Sequence, residues 1–259
     1  SSTGGLSIRL TVNNGPLVNA PGGTIRASGV VIRDGRTLTG SIDNQGTIDI
    51  DQTLFVTNSG GFLRSTDGDL DILSGRTLTV AGGSAHLGSG TGLVGSGTVD
   101  LAAPTLELVS DLTIPSSGVR FAFGGAVRIS GAGRLINQGS ILLEGDKVDV
   151  AFDNEGQVEA KGATTQINGP FYNSGSLLVT AERVGQSNRN GWLTIAQGFT
   201  NDGLVEMTSN DGAPSSRLTV TSGTLTNGPG GTLRSSGVRN LRILTASIDN
   251  QGTVDIDQN

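Results

Sequence analysis

A short word recurs along this chain: an apolar residue, any residue, Asn, any residue, Gly, a small residue and a second apolar residue. Ile42–Ile48 is one copy, and Ile248–Val254 repeats it almost unchanged. Self-similarity at a short period is the signature of repeat architectures, in which each unit packs only on its neighbours. We therefore expect a stack of similar turns. The asparagines of the word are Asn44, Asn58, Asn137, Asn154, Asn173, Asn201 and Asn250, with looser copies at Asn19 and Asn227.

The spacing of these asparagines sets the size of one turn. Between Asn19 and Asn250 the words are fairly evenly spaced, apart from one long gap after Asn58 that has room for about four degenerate units. The interval then divides into about 11 units averaging about 21 residues, which suits a β-solenoid coil of three short strands. The sequence predicts about 12 coils, which at about 4.8 Å per coil form a rod about 60 Å long.

Residues after each word alternate between polar and apolar, as in Thr47-Ile48-Asp49-Ile50. A period of two is typical of a strand with one buried face, and no stretch has convincing helical periodicity. The sequence predicts an all-β fold, a right-handed parallel β-helix with little or no helix, its hand following the usual rule for parallel crossovers. We expect Asn and Gly to adopt left-handed backbone in each turn. We also expect the asparagines to stack into a side-chain hydrogen-bond ladder.

A longer duplication indicates a larger module. Leu17–Gly29 matches Leu225–Gly237 at an offset of 208, and Ser41–Gln52 matches Ser247–Gln258 at an offset of 206. Residues 1–259 are therefore predicted to be a single solenoid that contains one tandem module (17–224) and the start of the next (225–259). Neither end shows the polar cap that closes a solenoid, so end-to-end stacking of uncapped solenoids is an expected mode of association.

Composition excludes several classes of function. The chain lacks Cys, which rules out a disulfide scaffold, a thiolate metal site and a Cys nucleophile. A net charge of −6, with 17 basic residues spread along the chain, argues against nucleic acid as a partner. No apolar run approaches the roughly 18 residues that a membrane span needs, so we expect no membrane insertion. The single histidine, His86, has no acidic neighbour in the sequence, and we expect a surface or turn residue.

Rarer residues gather between Phe171 and Phe199. The interval from Asn173 to Asn201 is longer than the average unit, and its surplus is expected to loop out of the rod at Glu182–Gly191. Loops on a rigid scaffold often carry binding residues, and exposed aromatic rings beside arginines suit sugars. The alternative is that Phe171 and Phe199 fill the core while Trp192 covers the base of the loop. The candidate carbohydrate-binding residues are Tyr172, Arg183, Arg189 and Trp192.

Asp67, Asp69 and Asp71 form the densest cluster of carboxylates, and oxygen-rich spacing of this kind suits Ca²⁺. The segment lacks the Gly and the Glu that an EF-hand loop carries at its sixth and twelfth positions, so an ordinary acidic turn is the favoured interpretation. No other cofactor is expected.

Two further carboxylate pairs raise the possibility of an enzyme. Asp49/Asp51 and Asp255/Asp257 are i, i+2 pairs on predicted outward strand faces, about 7 Å apart, a separation that glycosidases use. Both pairs occupy the same place in a repeated word, which favours a solvated surface. We therefore expect that the chain is not an enzyme.

The Asn-x-Gly coils, the absence of Cys and the low aromatic content resemble the β-helical stalks of large exported bacterial adhesins. These are the filamentous-haemagglutinin-like exoproteins of two-partner secretion and autotransporter passenger domains. The resemblance covers about Leu17–Gln258. The Asn-Pro-Asn motif of the two-partner secretion domain is missing, so only a stalk portion matches.

The resemblance implies export through an outer-membrane pore and a location outside the cell or on the bacterial cell surface. It also implies a structural stalk or adhesive repeat segment, whose partner would be a host or bacterial surface glycan or a protein receptor. The alternatives are a carbohydrate-binding β-helix segment and, less favoured, a polysaccharide lyase or hydrolase.

Overall fold

The computed structural model describes residues 8–29, 36–102, 105–116, 118–210, 214–237 and 240–257. Within these residues the chain is all-β without a helix, and strands of successive turns pair in parallel as a β-solenoid. This confirms the predicted fold class. Each turn contributes one strand to each of three sides, and successive strands of a side lie about 4.8 Å apart.

The first side is the most regular and contains twelve strands in one line. Strand β26 (Ser187–Arg189) lies off this line and pairs with β25 (Ser176–Val184) in antiparallel fashion. The strands of the first side are β1 (Ile8–Thr11), β4 (Arg36–Thr39), β7 (Leu54–Thr57), β10 (Thr77–Ala81), β13 (Thr98–Ala102), β16 (Arg120–Phe123), β19 (Ser140–Leu143), β22 (Gln157–Lys161), β25 (Ser176–Val184), β29 (Leu204–Ser209), β31 (Thr232–Ser235) and β33 (Thr253–Ile256).

The second side follows the first in every turn. Its last two members are the leading parts of long strands that continue into the third side. The strands are β2 (Leu17–Asn19), β5 (Ile42–Asn44), β8 (Phe62–Arg64), β11 (Ser84–Leu87), β14 (Thr105–Leu108), β17 (Arg128–Gly131), β20 (Lys147–Val148), β23 (Thr164–Ile167), β27 (Gly191–Ile195), β30 (Ser216–Asn227) and β32 (Arg242–Asn250).

The third side changes its pairing part-way along the stack. Its first four strands form a sheet of their own, and its later strands join the second side through β30 and β32. The strands are β3 (Thr24–Ala27), β6 (Thr47–Ile50), β9 (Asp69–Ile72), β12 (Gly92–Gly95), β15 (Leu112–Ile114), β18 (Leu135–Asn137), β21 (Phe152–Asn154), β24 (Phe171–Asn173) and β28 (Phe199–Asn201), followed by the trailing parts of β30 and β32.

The pairing register gives the size of a turn. Pairing along the first side connects Ile8 to Val254 in eleven steps, so one turn averages about 22 residues. The predicted array of about 12 coils of about 21 residues is close to this. Some turns are longer than the mean, and the turn that separates Leu177 from its register partner Val205 is one of them, because extra residues lie between the two strands.

The core lies between the three sides and is filled by the apolar residues of the alternating pattern. Ile48 and Ile50 are completely buried while Asp49 between them faces outward. A stack of three buried rings runs along the third side, with Phe171 centred 5.3 Å from Phe152 and 5.2 Å from Phe199. Each such pair adds about 0.5 to 1.5 kcal/mol beyond the apolar area that it buries.

The duplicated sequence does not return to the same side of the solenoid. Ile42-Asp43-Asn44 is β5, on the second side, whereas Ile248-Asp249-Asn250 ends β32, on the third side. From the first copy to the second, the chain makes nine full turns and then passes from the second side to the third. Equivalent residues of the two copies therefore face different directions around the axis.

Candidate functional site

The asparagine word occurs at all three corners of the solenoid. We call the turn between the first and second sides the first corner, the turn between the second and third sides the second corner, and the turn leading into the next coil the third corner. Asn137, Asn154, Asn173, Asn201, Asn227 and Asn250 lie at the third corner, whereas Asn19 and Asn44 lie at the second. The predicted single stack is therefore divided between corners.

The third corner carries a continuous side-chain ladder. Each amide nitrogen donates to the amide oxygen of the asparagine one turn further on, at 2.6 to 2.8 Å. The same nitrogen also donates to a backbone carbonyl of that turn; Asn154, for example, donates to Ser176 at 3.1 Å. The first five asparagines are completely buried. The buried amides thus satisfy one another along six turns.

The second corner carries only a short stack. Asn19 donates to Asn44 at 2.7 Å, and Asn44 donates to the hydroxyl of Ser65 at 2.9 Å. The hydroxyl of Ser65 donates to the carbonyl of Gly68 within its own turn at 3.0 Å. The asparagine stack therefore ends at Ser65.

Asn58 does not belong to either stack, so its assignment to the ladder was wrong. It follows β7 and therefore lies at the first corner. There its amide donates to the carbonyl of Gly82 and accepts from the N–H of Leu63 at 3.1 Å. The repeated Asn-x-Gly word predicts that the chain turns at a corner. It does not say at which of the three corners, because the strands before and after it can occupy any side.

The glycine of the word serves a different purpose from the one expected. None of the left-handed backbone angles within the described residues falls on the Asn or the Gly of a third-corner Asn-x-Gly turn. A Cβ atom at Gly156 would instead overlap the carbonyl oxygen of Gly139, and one at Gly175 would overlap that of Gly156. Glycine is required there because stacked backbones approach too closely for a side chain.

The four predicted carbohydrate-binding residues do not form one site. Tyr172 lies on the third side, where its hydroxyl donates to Asp202 at 2.8 Å, and Trp192 lies on the second side. Arg183 and Arg189 belong to a β-hairpin that projects at the first corner. The predicted loop is therefore present, but the aromatic rings face two directions.

That hairpin is held by charged side chains. Glu182 lies opposite Arg189, whose guanidinium is 3.5 Å from Glu182 and 3.1 Å from Glu144. Lys161 lies 3.6 Å from Glu182 on its other side. Arg183 hydrogen-bonds Gln186 and the carbonyl of Gly185 at the tip. Arg189 thus serves mainly to attach the hairpin to the first side.

The acidic residues proposed for metal or catalysis lie on the outer surface. Asp69 and Asp71 point outward from β9, and Asp67 is exposed in the turn before it. No group of three or more metal-ligating side chains converges within the described residues. Arg26 contacts both Asp49, at 3.1 Å, and Asp51, at 2.6 Å. Asp255 pairs with Arg234 at 3.0 Å, whereas Asp257 is exposed.

One carboxylate is buried and has an altered pKa. Asp146 lies at the first corner and accepts backbone hydrogen bonds from Val127 at 2.9 Å and from Glu144 at 2.7 Å. Burial raises the pKa of Asp146 to about 6, although the two backbone N–H groups oppose this shift. The charge of Glu144 adds a smaller upward contribution. Burial thus shifts the pKa of Asp146 into the mildly acidic range, well above that of an exposed aspartate.

The sequence did not predict the cluster of polar side chains around the single histidine, His86. His86 Nε2 lies 2.9 Å from the hydroxyl of Ser84, and His86 Nδ1 lies 3.0 Å from a carboxylate oxygen of Glu107. His86 has no acidic residue near it in the sequence, as expected, but in the folded chain Glu107 lies directly beside it. A usable signal existed, because Glu107 follows His86 by the predicted length of one coil.

Comparisons of this chain with protein families, with curated proteins and with solved structures give no match. The resemblance to exported adhesins therefore depends on the sequence words alone. Among the described residues there is no helix that is long and apolar enough to cross a membrane.

Proposed function

We propose that this chain is a stalk segment of a large bacterial surface or secreted adhesin, located outside the cell, which spaces or presents a binding region. The observation that carries the proposal is the uninterrupted first side, in which twelve strands pair in one line. Every inner strand is bonded on both edges, so bending or separating the stack requires breaking several backbone hydrogen bonds together.

The surface chemistry supports a spacer role. Opposite charges stack in successive turns on several sides, as in Arg64 on Asp43 at 3.0 Å and Arg128 on Asp149 at 2.6 Å. Exposed ion pairs contribute little to stability, but a mixed-charge surface keeps a long rod soluble.

Small-angle X-ray scattering on the chain and on a tandem chain with residues 17–224 duplicated tests the proposal. Eleven steps of about 4.8 Å predict a rod about 53 Å long, and the added module extends it by about 45 Å at an unchanged cross-section. A compact particle, or a tandem chain that grows in width instead of length, would contradict the stalk.

One observation supports the alternative of a carbohydrate-binding segment, limited to the surface around Trp192. Trp192 is 38% exposed on the flat second side, and the guanidinium of Arg217 lies 5.7 Å from its ring. An exposed ring offers an apolar face to a sugar, and a guanidinium beside it can donate hydrogen bonds to sugar hydroxyls. Glycan-array binding that is lost in Trp192→Ala and retained in Phe55→Ala, an equally exposed aromatic on the first side, would support it. Equal binding by both variants would contradict it.

A further inference from the structure

Three polar side chains on the second side are arranged as a nucleophile, a base and an acid. Ser84 and His86 are i, i+2 residues of β11 and both point outward, while Ala85 and Leu87 between and after them are buried. The parallel register places Glu107 of β14 directly beside His86. The solenoid thus brings together residues from two successive turns.

The contacts define the direction of each hydrogen bond. The Glu107 carboxylate can only accept, so the 3.0 Å contact is a hydrogen bond that His86 Nδ1 donates. In the tautomer that carries its proton on Nδ1, His86 Nε2 is an acceptor, and the Ser84 hydroxyl donates to it across the 2.9 Å contact. Activation of a serine requires this order of hydrogen bonds, with Ser84 as the nucleophile, His86 as the general base and Glu107 as the carboxylate that orients the base.

Neighbouring residues fix the imidazole ring. Phe62 packs edge-on against His86 with ring centroids 6.0 Å apart and an interplanar angle of 88°. Arg64, the register partner of His86 on the other side, is engaged by Asp43 through two hydrogen bonds of 3.0 and 3.2 Å. Because Arg64 has its own carboxylate partner, Glu107 remains bonded to the histidine.

The geometry points to an acyl-transfer site: we propose that Ser84, His86 and Glu107 hydrolyse short-chain carboxylic esters carried on a polar molecule. Ser84 Oγ forms a bond to the ester carbonyl carbon as its proton moves to His86 Nε2. The carbon–oxygen bond to the leaving alcohol then breaks, and the alcohol takes that proton. Water repeats the sequence on the acyl-serine, which releases the carboxylic acid and restores the serine. This proposal is independent of the stalk function.

The surroundings determine the class of ester. Glu107 is about half exposed and Ser84 and His86 are half-buried, so the site lies on an open face that offers little cover to a long acyl chain. A groove of about 640 Å³ begins one strand away at Phe62, the register partner of Ser84. Its lining is mixed, with polar groups from Thr39, Thr57 and Asn58 beside the apolar side chains of Val12 and Pro16. A short acyl group on a polyhydroxylated chain fits these features.

A fluorophosphonate probe followed by peptide mapping, together with hydrolysis of p-nitrophenyl acetate, tests the proposal on the full chain. We expect labelling at Ser84, with acetate hydrolysis reduced about 100-fold or more in Ser84→Ala and in His86→Gln. Glu107→Gln keeps an acceptor but removes the charge, and it should reduce the rate by about tenfold or more. Ser130→Ala is the matched control, because Ser130 is the register partner of Glu107 on the same side.

Further measurements separate catalysis from a structural role. The double variant Ser84→Ala/His86→Gln should be no slower than Ser84→Ala alone, because residues that act as one unit are not additive. Wild-type chain that is neither labelled nor active would overturn the proposal, as would equal rates in Ser84→Ala and Ser130→Ala. Faster hydrolysis of the octanoate than of the acetate ester would overturn the assigned ester class. His86→Gln serves as the second test if Ser84→Ala does not fold.

Discussion

The two asparagine stacks differ in length although they are built from the same word. At the second corner the stack contains Asn19 and Asn44 and ends on Ser65, whereas the third-corner ladder continues from Asn137 to Asn250. Turn length does not set the difference, because Asn227 lies two residues further from its next first-side strand than Asn201 does and the ladder continues through both. What differs is the side chain at the next position. Ser65 donates its hydroxyl to the carbonyl of Gly68 in its own turn, so it passes no hydrogen bond to a further turn. A side-chain ladder therefore requires an asparagine in every successive turn.

The largest loss of stability is expected when the long ladder is broken at its centre. Asn173→Ala removes the acceptor of Asn154 and the donor to Asn201, which leaves two buried polar groups without their partners. We expect a loss of about 3 kcal/mol in the free energy of unfolding, measured by urea denaturation. Asn19→Ala removes the first member of the short stack, which donates to Asn44 and to the carbonyl of Thr47, and it leaves one buried side-chain acceptor, that of Asn44, without its partner, so we expect about 1 kcal/mol. Equal losses in the two variants would show that ladder length does not matter.

A second comparison concerns the first corner, which contains the buried amide of Asn58 in one region and the buried carboxyl group of Asp146 in another. Because folding raises the pKa of Asp146 from its usual value near 3.8 to about 6, its contribution to stability is complete below pH 3.8 and is lost as pH rises through 6. The free energy of unfolding should fall by up to about 3 kcal/mol from this group between pH 4 and 7.

Asp146→Asn provides the control for that pH dependence. The variant does not titrate, so its free energy of unfolding should lack this fall, and the difference between wild type and variant should change between pH 4 and 7. Denaturant titrations of both proteins at each pH provide the measurement. A difference that stays constant with pH would contradict the raised pKa of Asp146.

The smallest loss of stability is expected from equivalent surface arginines in the two copies of the duplicated segment. Arg26 contacts Asp49 and Asp51, and its equivalent Arg234 contacts Asp255. Solvent screens ion pairs between exposed side chains, so Arg26→Gln and Arg234→Gln should each shift the unfolding midpoint in urea only slightly. A shift as large as that of Asn19→Ala in either variant would show that the surface pairs support the fold more than expected.

The sequence predicted the solenoid and the approximate turn length, because alternation and a repeated turn word are local signals. It could not assign Asn58 and Asn173 to different corners, since that depends on how many residues lie in each intervening side. It placed Tyr172 and Trp192 together because they are near in sequence, whereas they lie on the third and the second side of the solenoid and face different directions. It missed His86 and Glu107 because stacking brings together residues one turn apart.

Hydrogen–deuterium exchange of wild-type and Asn173→Ala chains tests most directly the claim that the third-corner ladder acts as one connected stack. We predict that backbone amides in the turns from Asn137 to Asn227 exchange most slowly in the wild type. In the variant their exchange should accelerate about tenfold or more on both sides of residue 173, while residues 17–29 and 36–65 are unchanged. Acceleration confined to the substituted turn, or spread evenly over the whole chain, would contradict a connected ladder.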